Sequence, residues 1–198
     1  SKEETRYYLN GVHFCQEGGK AFFVSTDGHR MLAHSMDHES DSPYEAIIPA
    51  SLVTELGKLK GSLVTLTFTA TEVKAEYDGV TRTESLIDAT YPQWKKLIPA
   101  NVKEQVAAIY KAEYVGDLKK IATAIHAMYG KRLTKNSDNG YKIHQCGNDP
   151  APVTFNCSEN WLGVIMPMRE VNKDEVVSLA TVISSFETHT EVTMELAA

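Results

Sequence analysis

The feature that most restricts how this chain folds is a period-two pattern between residues 64 and 87. Val64, Leu66 and Phe68 alternate with threonines, and Val73, Ala75 and Tyr77 alternate with Lys74 and Glu76. Successive side chains of a strand point to opposite faces, so this spacing gives each segment one apolar and one polar face. Asp78-Gly79 suits the positive φ angles of a two-residue hairpin turn, which leads the chain back through residues 80–87. Three antiparallel strands are expected here.

Similar signals extend the pattern upstream. Residues 5–14 carry Tyr7, Leu9 and Val12 among polar residues, and Gly18-Gly19 separates them from the apolar run 21–25. Aromatic and β-branched runs divided by glycines read as an antiparallel hairpin. A third strand is expected at 30–36, a polar surface loop at 37–43 and a short strand at 44–49. From Ser51 the period changes: Leu52, Leu56 and Leu59 recur at spacings of four and three, with Ser51 as N-cap, Gly61 as stop, and Lys58 and Lys60 near the end. That is one amphipathic helix.

The order strand, helix, three strands recurs after Pro99. A strand is expected at 107–114, and a helix from about 116 to 129 carries Leu118, Ile121, Ala122, Ile125 and Met128 at helical spacing. Strands follow at 141–145, 153–155 and 161–166. A last helix at 174–186, with Val176, Leu179, Ala180 and Ile183 on one face, leads to a strand at 191–196. The fold class is α+β, antiparallel sheets with helices packed on one face.

Composition narrows the function. With 198 residues, 42% of them hydrophobic, the chain suffices for one large or two small domains. No run approaches the roughly 20 apolar residues of a membrane span, and no basic segment leads into an apolar one, so a soluble, cytoplasmic protein is expected. Cys15, Cys146 and Cys157 are odd in number and widely spaced, which suits reduced thiols better than a disulfide framework or zinc site. A formal net charge of -6 argues against coating nucleic acid with the whole surface, while leaving room for a basic face. His29 with Asp27, and His34 and His38 with Asp37 and Glu39, hold the atoms of a hydrolytic or metal site. Strand alternation splits His34 and His38 from the odd positions near them and no further ligand cluster appears, so no enzyme, metal or cofactor is expected.

Four short motifs then stand in one order: RYYLNG at 6–11, TDGHR at 26–30, YPQWKKLIP at 91–99 and VIMPMR at 164–169. Together they resemble the bacterial DNA polymerase III beta subunit, the sliding-clamp family, in a shortened or phage-like form. The third motif departs from the family's pattern while keeping its shape and charge. The resemblance implies a DNA-clamp fold with two clamp-like domains. Residues 1–99 match a middle domain lacking its first strand and helix; residues 100–198 match the second half of a terminal domain plus an extra C-terminal helix and strand.

What the resemblance implies about function is a processivity factor with two binding surfaces. DNA polymerase and other replication proteins would insert short peptides, bearing a glutamine, leucines and a phenylalanine, into a groove. Carried over residue by residue, its lining is Leu9, Thr26, Gly28, His29, Arg30, Met31, Pro92, Lys96, Leu97, Val164, Ile165, Met166, Pro167, Met168 and Arg169. Unbranched, polarizable methionines can repack around different ligands, so Met31, Met166 and Met168 would give one groove several partners. Arg30, Lys96 and Arg169 would stand at the rim. Duplex DNA would be held without base readout by Tyr7, Tyr8, Lys58, Lys60, Lys119, Lys120, Lys131 and Arg132. Such a subunit would form a ring dimer or trimer. The alternative is a monomeric decoy or adaptor that binds the same peptides without encircling DNA.

Overall fold

The computed structural model describes residues 5–40, 42–59, 62–98, 108–128, 140–144, 149–156 and 158–168. β1 (Gly11–Glu17) turns through Gly18 and Gly19, both at positive φ, into β2 (Lys20–Thr26). β3 (Arg30–Asp37), β4 (Tyr44–Pro49) and helix α1 (Ala50–Leu56) follow. The alternating segment forms β5 (Thr65–Phe68), β6 (Glu72–Tyr77) and β7 (Val80–Ser85), with Asp78 and Gly79 both at positive φ in the β6–β7 turn. Helix α2 (Ala112–Met128) then leads to β8 (Tyr141–Ile143), β9 (Ala151–Phe155) and β10 (Ser158–Ile165).

Among the described residues, seven strands join one sheet in the order β4-β1-β2-β3-β10-β9-β8, and β5-β6-β7 make a second. Every pairing is antiparallel. The decisive junction is the seam between β3 and β10, where Met31 lies opposite Val164 and Arg30 opposite Ile165.

Alternation across this sheet produces two unlike faces. On one, Phe14, Ala21 and Ile48 pack with Leu52 of α1 and with Val73, Ala75 and Tyr77 of the small sheet. On the same face beyond the seam, Leu118, Ala122 and Ile125 of α2 cover Ala151, Val153, Phe155 and Ile165. This is the helix face. On the other, Val24, Met31, Ala33, Ile47 and Val164 are covered by Leu9 from a short 3-10 turn (Tyr7–Leu9) and by Tyr91 and Trp94. Burying side chains of this size stabilises the fold by about 1.5–3 kcal/mol each, which gives the seam a core on both sides.

Three expectations are corrected. Residues 5–10 are not part of the first strand. β1 begins where Gly11 pairs with Pro49, and a Cβ on Gly11 would collide with the Ile48 carbonyl. α1 stops at Gly57 rather than Gly61, and Ser51 lies inside it, its hydroxyl donating to Glu84 instead of capping. No strand occupies the described part of 107–114: α2 begins at Ala112, Tyr114 and Leu118 lie one helical turn apart on it, and Tyr110 packs against the same core just ahead of it.

The strands expected at 141–145, 153–155 and 161–166 correspond to β8, β9 and β10. The helix at 174–186, the strand at 191–196 and the division near residue 99 fall outside the described residues. By compactness, Ser1–Pro167 form one unit and Met168–Ala198 a second, in which Met168 alone is described.

Candidate functional site

The β2–β3 turn is built by its own side chains. The Thr26 hydroxyl donates to the Arg30 carbonyl (2.8 Å) and accepts the Gly28 N–H (3.0 Å). Asp27 Oδ1 accepts the N–H groups of His29 and Arg30, each at 3.0 Å. Gly28 takes φ +86°, and a Cβ there would run into the Arg6 guanidinium. Short acceptors followed by glycine are what such a reversal needs.

The carbonyl of His29 accepts the Met166 N–H at 2.9 Å. This bond continues the seam one residue past β10 and holds Met166 against the Asp-Gly-His turn. Beside it, Leu9, Met31 and Val164, none more than 5% exposed, pack as one cluster with Tyr91 and Trp94, and Leu97 lies against it. Met166 and Pro167 are half-buried; Pro92 and Lys96 are exposed. Pro92, Lys96 and Leu97 share a single segment, whose 3-10 turn runs Trp94–Leu97.

Eight of the fifteen residues expected to line the groove are therefore drawn together from four stretches of chain: Leu9, Thr26, Gly28, His29, Met31, Leu97, Val164 and Met166. Arg30 and Ile165 lie on the helix face instead. Arg30 is held there by Asp27 (3.0 Å) and Asp117, with its guanidinium 4.8 Å from the centre of the Tyr114 ring. Met168 belongs to the second unit, and Arg169 lies outside the described residues.

Sequence reading missed an apolar trough on the same face as Met31, of about 160 Å³, lined by Phe22, Ala33, Trp94, Ile98 and Leu162 with Glu159 and Asn160. The signal was available: Phe22, Ala33 and Leu162 stand two residues from Val24, Met31 and Val164 on the same strands. Among the described residues no group of three or more His, Cys, Asp or Glu side chains is placed to hold a metal. His34 stacks on Trp161 and His38 caps the Ser40 N–H, so the histidines of that stretch do not converge.

The model of the DNA polymerase III beta subunit central domain matches residues 1–93. Over these residues, just under half of its length, the chain is similar to the central domain of the sliding-clamp family. It is 32% identical to the beta sliding clamp of Proteus mirabilis over 111 residues, 54% of this chain and 30% of that protein. It is 35% identical to that of Caulobacter vibrioides over 108 residues, 50% of this chain and 29% of that protein. The chain thus spans about a third of the length of the curated relatives it matches. The fold reaches further than the sequence match. The sliding clamp structure from Pseudomonas aeruginosa aligns with a TM-score of 0.62 at 18% identity, over 86% of this chain and 60% of that one. The Streptococcus pyogenes beta subunit gives 0.63 at 14% identity, with the same coverage. The likeness at that identity is one of fold: antiparallel sheets with helices on one face, arranged as in sliding clamps.

In clamp terms, the residues expected to meet DNA lie as follows. Lys119 and Lys120 are exposed on α2, and Lys58 is exposed just past α1. Both helices pack on the same face of the large sheet. Lys120 Nζ is 2.7 Å from Asp117 Oδ1. Tyr7 is exposed, its hydroxyl donating to the Asp88 carbonyl at 3.5 Å, and its ring meets Tyr8 edge-on. Lys60, Lys131 and Arg132 lie outside the described residues. No described helix is long and apolar enough to cross a membrane.

Burial sets the ionisation of the groups on the face of the sheet that carries Met31. It raises Tyr91 to about 12, with the hydroxyl donating to the Val24 carbonyl, and pushes the Cys15 thiol upward. His13 stacks flat on Tyr91, with centroids 4.5 Å apart, and burial lowers its pKa against the opposing pull of Glu45.

Proposed function

We propose that this chain acts as a sliding-clamp-type processivity factor. It is non-enzymatic and cytoplasmic. It docks short peptides of DNA polymerase and other replication proteins beside the β3–β10 seam, and takes duplex DNA without sequence preference against its helix face. It works as a ring of two or three copies.

The observation that carries this reading is the Met166 to His29 hydrogen bond, which joins two motifs distant in sequence into one apolar wall with Leu9, Met31, Leu97 and Val164. An apolar wall with half-buried methionine at its edge suits an extended peptide with leucine and phenylalanine anchors. The exposed lysines of α2 and Lys58 supply phosphate contacts that position without reading bases.

The test is binding of a fluorescent peptide carrying glutamine, leucine and phenylalanine. Leu97→Ala with Met166→Ala is expected to weaken it by about 2 kcal/mol or more, as for interface anchors, with the melting curve checking that the fold persists. Equal affinity of the two proteins rejects the docking face. Retention on circular DNA and a size above the monomer then separate a ring subunit from a peptide-binding adaptor.

A further inference from the structure

The turn that forms one wall of the docking face is gripped from behind. Arg30, on the helix face, donates through Nη1 to Asp117 Oδ2 and through Nε to Asp27 Oδ2. Its guanidinium lies over Tyr114, which at three residues from Asp117 shares one side of α2 with it. The His29 ring lies nearly parallel to Tyr114, with centroids 6.3 Å apart, and Lys120 closes the network on the second oxygen of Asp117. Thus α2 holds the side chains of both His29 and Arg30, on either side of the one carbonyl that binds Met166. Both members of the Arg30–Asp117 pair are about 30% exposed (30% and 28%), so solvent screens them less than a surface pair.

The planar fork matters: Arg30 uses separate nitrogens for the two carboxylates, fixing its own orientation and that of Asp27. Asp27 in turn accepts the two N–H groups that shape the turn. We infer that Asp117, acting through Arg30, is a positioning residue that sets the β2–β3 turn, and with it Met166, for peptide docking. This rests on the docking reading above, and it ties the helix face to the peptide face through α2.

Two measurements test it on the full chain. Backbone hydrogen exchange at His29, Arg30 and Met166 is read against the amides of β6. In Asp117→Asn, exchange at these three is expected to rise about fivefold or more relative to β6, and Asp117→Glu is expected to recover most of the protection. Peptide affinity should fall by a similar factor in Asp117→Asn, and Asp117→Asn should add nothing once Arg30→Gln is present. Unchanged exchange at the three amides, an equal rise in β6, or a loss that adds fully to that of Arg30→Gln overturns the proposal. If wild type binds no peptide while Asp117→Asn still frees the three amides, the docking reading fails and the hold of Asp117 on the turn stands.

Discussion

Gly28 sits at φ +86° with the Arg6 guanidinium where a Cβ would go, so Gly28→Ala combines a left-handed backbone penalty with a steric one. A loss of about 1–2 kcal/mol from the backbone alone is expected, read as a lower urea midpoint. His13, 4% exposed, has its pKa lowered by burial, partly offset by Glu45. A histidine that is harder to protonate folded than unfolded contributes stability above the unfolded value of about 6.5, and that stability is lost as pH falls below it. Urea midpoints measured from pH 7 to 5 should therefore fall on acidification, and fall less in His13→Asn. His34, also lowered by burial, adds to the same slope. At this scale the turn chemistry was legible, because Thr-Asp-Gly-His-Arg states its own hydrogen bonding. Asp117 was not, since nothing distinguishes one acid on an amphipathic helix until its partner on the sheet beneath is known.

Strands with clean alternation were readable to within a residue or two: β6 and β7 from Val73, Ala75 and Tyr77 and from the Asp-Gly turn. Elements whose limits depend on tertiary contact were not. Leu59 continues the spacing of Leu52 and Leu56 and still packs in the same core, yet it does so after α1 has ended at Gly57. Tyr110 and Tyr114 read as alternating strand residues in a short window, and only the spacing of Tyr114 with Leu118 reveals helical period. Ser51 had the right residue type for a cap, but Pro49 occupies that position and no side chain caps the helix there. Ser51→Ala is accordingly expected to change stability by no more than about 0.5 kcal/mol, short of the roughly 1 kcal/mol of a true cap. A chemical denaturation series distinguishes the two.

Across the molecule, one sheet has two unlike faces. The helix face gathers α1, α2 and exposed lysines, and the opposite face gathers Leu9, Met31, Leu97 and Val164 around the seam. The seam itself was not legible from periodicity, because β3 and β10 are far apart in the chain and nothing local fixes which strands meet; the paired motifs were the only clue. The most direct test of this account is methyl NMR on the full chain during titration with a peptide bearing glutamine, leucine and phenylalanine. Saturable shifts centred on the methyls of Met166, Leu97 and Met31, with the α2 methyls of Ile125 and Leu118 little moved, are the result it predicts. Saturable shifts confined to other surfaces, or a titration that leaves Met166 and Leu97 unmoved, contradict it.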